Sequence, residues 1–141
     1  MKDVIFKEKI FNYSIDKVWK AISEEDQISS WFIKADFKAE KGYCYTFFSE
    51  GENCTQITGE VKEAHPYTLI YTWVVENTNI ETTVKWSLER LEGKTKLYLE
   101  HSGISGYPGD TAVTMFNSFN AGWDNCAVEL SNFLKAAIHA G

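Results

Sequence analysis

From Thr111 to the end of the chain, apolar residues recur three or four positions apart, at Phe116, Phe119, Trp123, Ala127, Leu130, Leu134 and Ile138. That interval stacks side chains on one face of an α-helix and predicts a long amphipathic helix closing the chain. Two phenylalanines and a tryptophan on one face need covering, and the segments before the helix are the natural cover. Across residues 34–103 the pattern changes to alternation, broken by short polar or glycine-containing turns. Strands are predicted in YCYTFF, CTQITGEVKEA, YTLIYTWVV, IETTVKWSLERL and TKLYLEHSG, with a shorter one at residues 34–37. Short turns between successive strands imply an antiparallel meander. Its inward rows are expected to carry Tyr43, Tyr45 and Phe47; Leu69, Tyr71, Trp73 and Val75; Ile80, Val84, Trp86 and Leu88; and Leu97, Leu99 and His101.

Ahead of the meander, residues 4–12, VIFKEKIFN, predict a first strand, and Ser14 is placed to cap a helix over IDKVWKAIS. A second short helix, EEDQISSWF, is expected to take Ser23 as its cap, with acidic residues in a first turn where they complement the helix dipole. The glycine- and proline-rich segment SGISGYPGD, residues 102–110, leads into the final helix. No repeat or linker divides the chain, so residues 1–141 are taken as a single domain. The expected architecture is α+β, an incurved antiparallel sheet of six or seven strands wrapped on a long C-terminal helix, with two short helices after strand one.

Aromatic residues make up 15% of the sequence, more than a core usually needs, while the hydrophobic and charged fractions are ordinary. The surplus either fills the space between sheet and helix or lines a cavity there, since ligand pockets are walled largely by aromatic and aliphatic groups. A net charge of −6 with no basic stripe disfavours nucleic acid as a partner. No apolar run reaches membrane-spanning length or resembles a signal peptide, so no membrane insertion and a cytoplasmic location are expected. Cys44, Cys54 and Cys126 are widely separated, suggest neither a disulfide framework nor a zinc site, and are read as free buried thiols. Nucleophile-elbow, P-loop, dinucleotide and metalloprotease motifs are all missing, and nothing in the sequence calls for a cofactor or a metal.

The segments SIDKVWKAISEEDQISSWF, EVKEAHPYTLIYTW, LEHSGI and AGWDNCAVELSNFL, in that order, resemble the helix-grip proteins of the START-like (SRPBCC) superfamily. Within it, the chain is similar to the branch typified by the C-terminal domain of the activator of the Hsp90 ATPase. The resemblance spans nearly the whole chain and implies a cavity between sheet and helix that takes an apolar small molecule, a lipid or an aromatic metabolite. It also implies two alternatives, a chaperone-interacting module or a cyclase or aromatase type of enzyme.

Candidate ligand-binding residues are Tyr45, Phe47, Tyr71, Trp73 and Trp86 from the sheet and Phe116, Phe119, Asn120 and Trp123 from the final helix. Trp31 and Phe32 either mark the cavity mouth or cap the core. His101 is in phase with an inward row, where it would orient a ligand, act as a general base, or bond loop backbone near Gly103. His65 and His139 read as turn and tail residues. Asn120 interrupts the apolar helix face and needs a partner. Gly122, unfavourable in mid-helix by roughly 1 kcal/mol against alanine, is expected to serve close packing.

Overall fold

In the computed structural model, which describes residues 4–48 and 56–140 and side chains as far as residue 136, the alternating segments form one antiparallel sheet. β1 (Ile5–Phe11) leads into α1 (Ile15–Ser23) and α2 (Glu25–Trp31). β2 (Lys34–Asp36), β3 (Cys44–Phe48), β4 (Gln56–His65), β5 (Thr68–Val75), β6 (Glu81–Leu91) and β7 (Lys94–Ser102) follow. After one 3-10 turn at Ile104–Gly106, α3 (Gly109–Ala140) completes the fold. The order across the sheet is β1-β7-β6-β5-β4-β3-β2, so the meander runs from β2 to β7 and β1 returns to pair with β7. This is the α+β helix-grip arrangement expected from the sequence, with seven strands among the described residues.

Local chemistry sets the helix starts. The Ser14 hydroxyl accepts from the Lys17 N–H at 3.3 Å and caps α1. Ser23 corrects the expectation for α2: it ends α1, and its hydroxyl donates to the Trp19 carbonyl at 2.6 Å. A serine engaged four residues back no longer caps the next helix, and Glu24 occupies that position without a side-chain bond to the helix backbone. Glu25 and Asp26 stand in the first turn, as the dipole favours.

The inward rows are buried as the alternation predicts, except Tyr43, Val75 and Ile80 near strand ends, which are half-buried. Thr82 fills the place between Ile80 and Val84 and is buried with them. β4 passes close beneath β5 at Gly59, the register partner of Tyr45. A Cβ there would lie 2.0 Å from the Thr72 carbonyl oxygen and 2.8 Å from the Tyr45 ring, so only glycine fits. Tyr45 lies across this gap and its hydroxyl donates to the same carbonyl.

α3 runs along the concave side against β1, α1 and α2. Trp123, Leu130 and Leu134 are buried on its inner face, while Phe116, Phe119 and Ala127 are half-buried. The thiol expectation needs correcting at Cys44, which is exposed because it falls on the outer row of β3, opposite in parity to Tyr45. Cys126 is half-buried and also free. The SEGEN break, Cys54 and the side chains of Ile138 and His139 lie outside the described residues.

Candidate functional site

Trp123 is the centre of the space between α3 and the sheet. Its ring centroid lies 5.4 Å from that of Trp73 on β5, 5.7 Å from Trp86 on β6 and 5.8 Å from Phe32 just after α2. Edge and tilted contacts at such spacings suit the charge distribution of aromatic rings. Two cavities share Trp123 and Cys126 as walls. One, about 230 Å³, is lined by Trp86, Leu97, Leu99, Leu130, Phe11 and Ala127, with Lys7, Glu8, Lys9 and Asp124 at its rim. The other, about 140 Å³, is lined by Phe32, Ile33, Ile57, Trp73, Phe119, Ser118 and Gly122. Trp123 thus stands between two apolar chambers, the larger more enclosed and the smaller more open to solvent. Neither reaches the roughly 300 Å³ at which ligand pockets usually begin, and together they pass it.

A hydrogen-bonded relay holds this indole. Trp123 Nε1 donates to His101 Nδ1 at 2.9 Å, which requires that nitrogen to be unprotonated. The ring proton therefore sits on Nε2 and is donated to Thr82 Oγ1 at 2.7 Å, and the Thr82 hydroxyl donates to the Trp73 carbonyl at 3.2 Å. One chain of bonds joins α3, β7, β6 and β5. Burial, which penalises the charged ring, lowers the His101 pKa from 6.5 to about 4. His101 stacks on Phe119 at 4.6 Å and is fully buried. With both ring nitrogens engaged, His101 has no lone pair to act as a general base, and its bonds go to Thr82 and Trp123 in place of the backbone near Gly103.

The other sequence-derived candidates separate into three groups. Phe32, Trp73, Phe119 and Trp123 line the smaller cavity, and Trp86 and Trp123 the larger. Tyr45, Phe47 and Tyr71 line neither: they interlock with Phe37 at centroid distances of 4.6–6.1 Å and make that end of the interior solid. Tyr71 Oη accepts from Trp86 Nε1 at 2.9 Å, and burial raises the pKa of its phenol. Trp31, Phe116 and Asn120 are also away from both cavities. Trp31 caps the core, its indole donating to the Ala21 carbonyl at 2.7 Å. Asn120 is half-buried and reaches solvent, because the buried line of α3 passes through Phe119 and Trp123 and leaves residue 120 to one side. Gly122 corrects the packing expectation, since a Cβ there meets nothing within 4 Å. It borders the smaller cavity, so its missing side chain leaves that wall low.

Thr82, Lys7, Lys9 and Cys126 belong to the site and were not singled out from the sequence. Thr82 had a signal, a polar residue in phase with Ile80 and Val84. Trp73 borders the smaller cavity, and its own indole N–H is buried without a hydrogen-bond partner among the described residues. Cys126 faces both chambers, and burial, assisted by Glu129, pushes its thiol up to about 12, leaving it a neutral wall group.

The model of the family described as "Activator of Hsp90 ATPase homolog 1-like protein" matches residues 12–135. Protein MLL2253 from Mesorhizobium loti shares the fold at a TM-score of 0.83 and 22% identity, over 94% of this chain and 97% of that one. Protein BH1534 from Bacillus halodurans gives 0.76 and 26%, over 95% and 97%. DynU16, a protein in the dynemicin biosynthetic locus, gives 0.82 and 22%, over 97% of this chain and 49% of that one. No protein of curated function matches the chain. Among the described residues no helix is long and apolar enough to cross a membrane.

Proposed function

The chain belongs to the Activator of Hsp90 ATPase homolog 1-like family, and we propose that it binds an apolar small molecule, a lipid or aromatic metabolite, in the chambers beside Trp123. The observation that carries this reading is the pair of apolar chambers flanking one indole. Burial of apolar guest surface adds about 25 cal/mol per Å².

Titration with a panel of lipids and planar aromatic compounds, following the indole N–H resonances, tests the reading. Binding should move the Trp73, Trp86 and Trp123 signals together. Still resonances across the whole panel would remove the proposal. The family match supports a second reading, a chaperone-interacting module. An unchanged hydrolysis rate of an Hsp90-type ATPase in excess protein would dispose of it.

A further inference from the structure

β1 carries lysines where its inner row should be apolar. Ile5 and Phe11 are buried on the face turned towards α3, and Lys7 and Lys9 lie between them with the same parity. Across the sheet Lys7 and Lys9 oppose Leu99 and Leu97, both buried. Both lysines rim the larger chamber, whose deeper walls are Trp86, Leu97, Leu99 and Leu130.

The two lysines and two carboxylates of this rim do not all pair with one another. Lys7 Nζ is 2.9 Å from the Asp124 carboxylate, and Glu8 is 3.7 Å from Lys96. Lys9 has no carboxylate within 4.0 Å among the described residues, and its ammonium stands 5.6 Å from the Phe11 ring centroid. In a chain of net charge −6, an unmatched cation thus sits half-buried at the opening of an apolar chamber. A lysine stem lies readily on apolar surface while its head stays at the opening.

Resting on the binding role proposed above, we infer that the larger chamber takes a monocarboxylate with an apolar tail, its carboxylate on Lys9 and its tail against Trp86, Leu97 and Leu99. The volume sets the length. At about 30 Å³ for each water-sized atom, some 230 Å³ admits about seven or eight non-hydrogen atoms. With its carboxylate at the opening, octanoate puts a tail of about seven carbons inside, which is of that size, and a long-chain lipid is not.

Calorimetric titration of the full chain with octanoate and with octanol separates head from tail. Octanoate should bind about tenfold more tightly, the effect of one charge-assisted hydrogen bond, and Lys9→Gln should bring the two together without changing octanol. Equal affinities on the natural chain, or a preference that survives Lys9→Gln, would overturn the carboxylate assignment. If octanol binds in either case, the apolar-binding role stands without it. Failure of both compounds to bind would overturn this inference, while the binding role falls only if the wider panel of lipids and aromatic compounds fails as well. Ala127→Trp, which fills the chamber from α3, should abolish both affinities. Retention of either by that folded variant would place binding elsewhere and overturn the inference.

Discussion

Acid should weaken this protein through His101 in a window that can be worked out beforehand. The ring is neutral in the native state because both nitrogens are committed and water is excluded, and its pKa falls from 6.5 to about 4. Above pH 6.5 the ring is neutral in folded and unfolded chains alike and contributes no pH dependence. Between pH 6.5 and about 4 the unfolded chain binds a proton that the native state refuses, so the free energy of unfolding falls as pH falls. At 1.36 kcal/mol per pH unit the full loss is about 3 kcal/mol, of which about 2 kcal/mol is gone by pH 5. Urea unfolding at pH 7 and pH 5 measures it, with His101→Gln as the comparison. That variant starts less stable, since it disturbs the relay to Trp123 and Thr82, but has no imidazole to titrate at this position. The natural chain should lose about 2 kcal/mol more than the variant between the two pH values. Equal losses would show that His101 takes up a proton as easily folded as unfolded, and would refute the buried relay.

Three other perturbations test neighbouring parts of the structure. Gly59→Ala drives a methyl group into the Thr72 carbonyl, and a loss of about 3 kcal/mol, read by thermal or urea unfolding, is expected. Gly122→Ala should stabilise by roughly 1 kcal/mol, because the new Cβ meets open space and the helix gains propensity; a lower melting temperature would mean that glycine is needed there. Under native conditions a thiol reagent followed by peptide mapping should label exposed Cys44 and spare Cys126, whose thiol burial holds near 12. Rapid labelling of Cys126 would show that the Trp123 side of α3 opens to solvent.

Element order and inward rows were legible because the local signals agree. Along residues 80–91, which hold β6, Ile80, Val84, Trp86 and Leu88 alternate with Glu81, Lys85 and Glu89, and turn-forming residues 76–79 and 92–94 bound the segment. β1 was less legible. Phe6 and Ile10 are exposed on its outer face while Ile5 and Phe11 are buried inside, so apolar residues occupy both parities and the inner lysines do not stand out. The candidate site shows the same limit more sharply. Periodicity gives the direction of a side chain but not how far it reaches or what it meets. Trp31 and Phe32 are neighbours in sequence, yet one indole is tied to the Ala21 carbonyl and the other ring borders a cavity. Tyr45 and Trp73 both point inward, and only the second is beside open space, because Phe37 reaches in from outside the strands to fill the first one's surroundings. The position of Trp123 between the two chambers depends on a bond between α3 and β7 that no local pattern encodes.

The placing of three indoles gives the molecule its own optical gauge. Trp86 borders one chamber, Trp73 the other, and Trp123 stands between them within 6 Å of both. Chromophores this close share their excitation, so near-ultraviolet circular dichroism should carry a strong signature of the trio. A guest on either side that tilts one member against the rest should alter that spectrum without any label.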